Sequence, residues 1–98
     1  MATVNIRREG TSIVWDPSPI TLGANDFIVF ANNDPDAPHQ PAPVGQAATY
    51  WFDDELPPFK EGQPAASSPA INLAGAVGTW IDYDDGLAPG GPKGKIQF

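Results

Sequence analysis

The chain has no cysteine, one histidine, one methionine and only five lysine and arginine residues. Each shortage removes a class of chemistry. Without cysteine there are no disulfides, no thiolate metal ligands and no cysteine nucleophile. A single histidine leaves one imidazole for base or ligand duty, so multi-histidine metal centres are excluded. Five cations against twelve acids give a net charge of −7 and a pI near 4.2. That balance repels nucleic acid and anionic membranes and favours solubility or a basic partner. No segment approaches the roughly 20 apolar residues a membrane-spanning helix needs, so membrane insertion is not expected. Arg7 and Arg8 precede no apolar run, so no secretory leader is visible. The chain therefore reads either as cytoplasmic or as a processed product that begins at a new Met1.

What is present is the composition of one folded domain. Across 98 residues, 41% are apolar, including three Trp and five Phe, which suits a modest single core spanning 1–98. Ten glycines and twelve prolines favour short strands joined by turns over long helices. Val4 and Ile6 alternate with polar neighbours, a strand pattern, and Glu9-Gly10-Thr11 reads as a turn into a second strand at 13–15. The prolines of Asp16-Pro17-Ser18-Pro19 interrupt the ladder. The strongest strand signal is Asp26 to Phe30, dense in β-branched and aromatic residues. Asn32 to Pro38 is a loop by composition. The alternating prolines after His39 suit an edge or polyproline stretch. Residues 47–52 are either a helical turn or a strand. Ala70 to Leu73 and Trp80 to Tyr83 read as strands, Asp84 to Lys93 as a loop, and Lys95 to Phe98 as the closing strand. Short strands at turn-punctuated intervals indicate an all-β sandwich or Greek-key barrel.

Two blocks of the chain resemble the cupredoxins, the small blue-copper proteins. The first is Ile20-Thr21-Leu22-Gly23, then Phe27-Ile28-Val29-Phe30-Ala31-Asn32-Asn33, then Pro38-His39. The second is Gly78-Thr79-Trp80-Ile81-Asp82-Tyr83-Asp84, a Gly/Pro loop, and Gly94-Lys95-Ile96-Gln97-Phe98. The family pattern there is Gly-x-Tyr-x-Phe-Tyr-Cys, a loop with His and Met, then Gly-Lys. The resemblance implies a cupredoxin-like Greek-key β-sandwich and favours an extracytoplasmic location over a cytoplasmic one. It equates His39 with the first copper ligand, Asp84 with the Cys, Leu87 with the second His and Pro92 with the Met. Three of the four ligands are thus missing, and 44–69 carries no match.

A blue-copper site needs two imidazoles and a thiolate in a trigonal arrangement. One imidazole and a carboxylate lack the soft donor that stabilises Cu(I), so electron transfer of the family type is not expected. The resulting expectation is a monomeric, non-redox binding or structural module, without cofactor or catalytic residues, acting on a protein or small ligand. The alternative is a non-blue Cu(II) or Zn(II) protein using His39 and Asp84, with Asp82 or Asp85 as further ligands. The register of the acids stays open. In the family register Asp82 and Asp84 point inward and need a partner such as Arg7 or Lys93. A one-residue shift or bulge instead buries Ile81 and Tyr83. Tyr50-Trp51-Phe52 followed by Asp53-Asp54-Glu55 is either an aromatic docking surface with an acidic rim or a core plug beside wet acids.

Overall fold

In the computed structural model, which describes residues 2–23, 26–45 and 50–98, the chain is all-β with no helix among the described residues. Nine strands among those residues form two mixed sheets. The first holds β1 (Ala2–Glu9), β2 (Ser12–Asp16), β4 (Phe27–Asn32) and β6 (Ala66–Ser67) in the order β2-β1-β4-β6, with β7 (Ile71–Asn72) also paired to β4. The second runs β3 (Ile20–Thr21), β9 (Gly94–Gln97), β8 (Trp80–Asp85), β5 (Pro41–Pro43). Parallel pairing joins β1 to β4 in the first sheet and β3 to β9 in the second.

Alternation decides which side chains meet between the sheets. Val4 and Ile6 of β1, Ile13 and Trp15 of β2, and Ile28 and Phe30 of β4 face Ile20, Tyr83 and Ile96 of the second sheet in one core. Each fully buried Ile or Val contributes about 1.5–3 kcal/mol relative to exposure. The centre is aromatic. The Tyr83 ring lies 5.0 Å from Trp15, 5.4 Å from Phe30 and 5.8 Å from Trp51, all edge to face. The Trp15 indole N–H donates to Pro92 O at 2.9 Å, tying this cluster to the loop that follows β8. Tyr83 sits directly opposite Gly94 across the ladder, and a Cβ at Gly94 would collide with its ring. Glycine is required there for space. At Gly10 it is required for φ, +65°, in the tight turn between β1 and β2.

Several expectations are met by slightly different boundaries. β8 runs on through Asp84 and Asp85, because Pro41 and Ala42 of β5 pair with them. The proline-rich segment is indeed an edge strand, last in its sheet. β6 carried no sequence signal, being two residues held to β4 by backbone pairing and by the Ser68 hydroxyl, which accepts from Phe30 N at 2.9 Å. Of the 47–52 segment, residues 47–49 lie outside the described residues, and 50–52 are neither strand nor helix.

Candidate functional site

At one end of the sandwich four charged side chains form a line, half-buried at Arg8 and buried at the other three. Arg8 comes from β1, Asp34 from the loop after β4, His39 from the approach to β5, and Asp85 from the end of β8. Arg8 Nε and Nη2 donate to the two Asp34 carboxylate oxygens at 3.0 and 2.6 Å, a fork-to-fork pair. Asp34 Oδ2 also meets His39 Nε2 at 2.6 Å, and His39 Nδ1 meets Asp85 Oδ2 at 2.5 Å. Asp34 is fully buried, and His39 and Asp85 are 3% and 5% exposed.

The backbone prepares each member. Asn32, wholly buried, accepts Asp34 N through Oδ1, while its Nδ2 donates to Ala37 O, Leu56 O and Pro57 O at 3.0–3.1 Å. One amide therefore braces both loops around the histidine. His39 also exchanges backbone hydrogen bonds with Leu56. Asp85 Oδ1 accepts from Gln40 N and Leu87 N, both at 3.0 Å, which leaves Oδ2 for the imidazole.

Burial and pairing act in opposite directions on these groups. For His39, burial pulls the imidazole pKa down, but hydrogen bonds to Asp85 and Asp34 and their charges outweigh it, and the net shift is upward. For Asp34, burial raises the carboxyl, yet bonding from Arg8, Asp36 N and His39 carries it down to about 2. Asp85 is lowered in the same way, burial opposing and His39 with two backbone N–H groups prevailing. Doubly protonated, His39 donates to both carboxylates, and the line reads plus, minus, plus, minus. A neutral imidazole has one N–H and must present a lone pair to one carboxylate.

Above this line lies a cleft of about 380 Å³, with Arg8, His39 and Asp85 at its polar side and Ile13, Leu87 and Pro92 among its apolar walls. Leu87 and Pro92, two of the positions that the resemblance equated with ligands, thus border the same cleft as His39. Asp84 does not: although buried, its carboxylate accepts from Gly90 N at 3.1 Å. Asp82 is exposed on the outer face, and Tyr83 takes the inward position. Of the three aspartates named beside His39, the structure brings only Asp85 to it. Arg7 pairs with exposed Asp16 at 3.0 Å, not with a buried acid. Among the described residues no three His, Asp or Glu side chains converge in a metal-holding group.

The 50–55 segment divides between core and surface. Phe52 is buried, Trp51 is half-buried and stacks on Phe30 at 5.8 Å, and only Tyr50 reaches the surface, its hydroxyl donating to Gly86 O at 3.3 Å. Asp53, Asp54 and Glu55 are exposed. Arg8 and Asp34 did not stand out in the sequence. Arg8 did carry a signal, because period two from Val4 and Ile6 puts it on the inward row. Asp34 carried none, being one acid in a loop of turn formers.

Comparison with protein-family models, curated proteins and solved structures returns no match for this chain.

Proposed function

We propose that this chain is a cupredoxin-like Greek-key β-sandwich whose copper site has given way to a fixed ion-pair line, and that it acts as a non-redox binding module through the cleft beside His39. One observation carries the reading. His39, Leu87 and Pro92, which the resemblance equates with three copper ligands, border a single cleft although His39 lies 48 residues before Leu87. Where the family has a second imidazole and a thioether, this cleft offers an isobutyl group and a pyrrolidine ring, and the carboxylate at the thiolate position, Asp84, is bonded to Gly90 N outside the cleft. That set lacks the soft donor for Cu(I).

The state of His39 supports binding over metal chemistry or catalysis. Both ring nitrogens are engaged by carboxylates. A metal ligand or general base needs a free lone pair, so either role requires the ring to release a proton and a partner. Apolar walls with a few convergent polar groups are the usual make-up of a small-molecule site.

Two measurements test the reading. Titration with Cu(II) and Zn(II), followed by calorimetry and paramagnetic resonance, is expected to give only weak binding that His39→Ala leaves unchanged. Tight stoichiometric binding lost in His39→Ala would establish the non-blue metal reading instead. A fragment library screened by methyl NMR is expected to shift Ile13 and Leu87. If both stay silent with every fragment, the cleft is not a binding site.

A further inference from the structure

At the opposite end of β8, the outer face of the second sheet carries an exposed indole. Trp80 is 57% exposed, whereas Trp15 is buried and Trp51 half-buried in the aromatic core. On β9, Gln97 lies directly opposite Trp80, and on β3 Thr21 lies directly opposite Gln97. Ile20, Ile81 and Ile96 take the alternate positions, so Thr21, Gln97 and Trp80 form one outward row across three strands. With strands about 4.8 Å apart, that row is roughly 10 Å long, the length of about two linked pyranose rings. A cleft of about 240 Å³ follows the row, completed by Gly78, Thr79 and Phe98.

We propose that this row is a carbohydrate-binding site for a neutral oligosaccharide, with one sugar ring stacked on Trp80 and its hydroxyls bonded to Gln97, Thr21 and Thr79. The chemistry of the lining selects that class. Every side chain in the cleft is uncharged, and beside it the Lys95 cation stands opposite Asp82. A charged ligand finds no charged side chain among those that line the cleft. An apolar side chain laid along the row would cover two hydroxyls and a primary amide without satisfying them, at about 1–3 kcal/mol for each buried group left unpaired. A second copy of this chain brings another net charge of −7. A neutral sugar meets none of these penalties: its C–H face covers the indole while its hydroxyls both donate and accept. The donors and acceptors are available. The Thr21 hydroxyl reaches Gln97 Oε1 only at 3.5 Å, and the Thr79 hydroxyl donates to Ala76 O and keeps its lone pairs. Lys95 Nζ, 5.0 Å from the Trp80 ring centroid, steadies the ring from one side.

This site is independent of the cleft beside His39, so either can fail without the other. The test is a fluorescence and calorimetric titration of the full chain with maltohexaose, cellohexaose, xylohexaose and chitohexaose. The wild type is expected to bind at least one saturably. Trp80→Ala should weaken that binding about tenfold or more, as loss of a central aromatic anchor does. Gln97→Ala should weaken it several-fold. Both surface variants keep the inward residues, and circular dichroism verifies their fold. Absence of binding to all four sugars overturns the proposal. So does binding that survives Trp80→Ala.

Discussion

Replacing Asp85 by asparagine probes the buried line with the least change of shape. The variant keeps an oxygen for the N–H groups of Gln40 and Leu87, both at 3.0 Å in the wild type. It replaces the oxygen that receives His39 Nδ1 at 2.5 Å by an NH₂, which cannot accept. His39 is then expected to be neutral at pH 7, protonated at Nε2 toward Asp34 and accepting at Nδ1 from the introduced side-chain amide. Removing one partner of a buried charge pair costs about 3–5 kcal/mol, and the expected loss lies in that range.

The pH dependence gives a sharper signature. The folded-state pKa of His39 lies above its unfolded value of about 6.5. Its contribution is therefore fully present below about pH 6.5 and lost as pH rises through the folded pKa, at about 1.4 kcal/mol per pH unit for one proton. Asp34 and Asp85 have depressed folded-state values, so their contribution is present above about pH 4 and is lost as pH falls through those values, about 2 for Asp34. Wild-type stability should peak between these limbs. Urea unfolding from pH 3 to 10 measures the profile, and NMR of the imidazole, the only one in the chain, reads the titration without ambiguity. Asp85→Asn should flatten the alkaline limb and lower the imidazole pKa. A wild type with equal stability at pH 6 and 9, or an imidazole titrating near 6.5, would refute the paired-imidazolium account.

Two further substitutions test how the site is braced. Asn32→Ala leaves three carbonyls and the Asp34 N–H without the buried amide, and about 3 kcal/mol of stability should be lost by urea unfolding. A loss below about 1 kcal/mol, the net worth of a single ordinary hydrogen bond, would show that the two loops hold themselves. Gly94→Ala drives a methyl group into the Tyr83 ring, and overpacking of this kind costs about 1–3 kcal/mol. Altered near-ultraviolet dichroism should accompany that loss, and unchanged stability would mean the ring has room to move.

The strands that could be read from sequence are those with a strong local pattern. Val4 and Ile6 announce β1, Phe27 to Phe30 announce β4, and Pro41 to Pro43 announce an edge. β6 was not readable, because Ala66 and Ser67 are strand only through their pairing with β4. The register of β8 stayed open for a similar reason. Asp82-Tyr83-Asp84 alternates acceptably either way, and the space beside Gly94, between Trp15 and Phe30, selects Tyr83 for the inside. Once Tyr83 is inward, period two carries Asp85 to the same face, where His39 stands.

By itself the sequence determined which metal ligands this chain cannot supply. Ligand inventory is a property of composition, and no folding supplies a thiolate or a second imidazole to a chain without them. It also determined the all-β class, since proline and glycine frequency and alternation act locally. Only the tertiary structure decided which acids meet the histidine. Asp84 and Asp85 are adjacent and chemically identical, but successive strand residues point to opposite faces, so one bonds to Gly90 N and the other to the imidazole. Arg8 and Asp34, 26 residues apart, become partners because β1 and β4 pair in parallel and bring them to the same end. Composition decided which ligand types are absent, and strand register built the ion-pair line around the one imidazole.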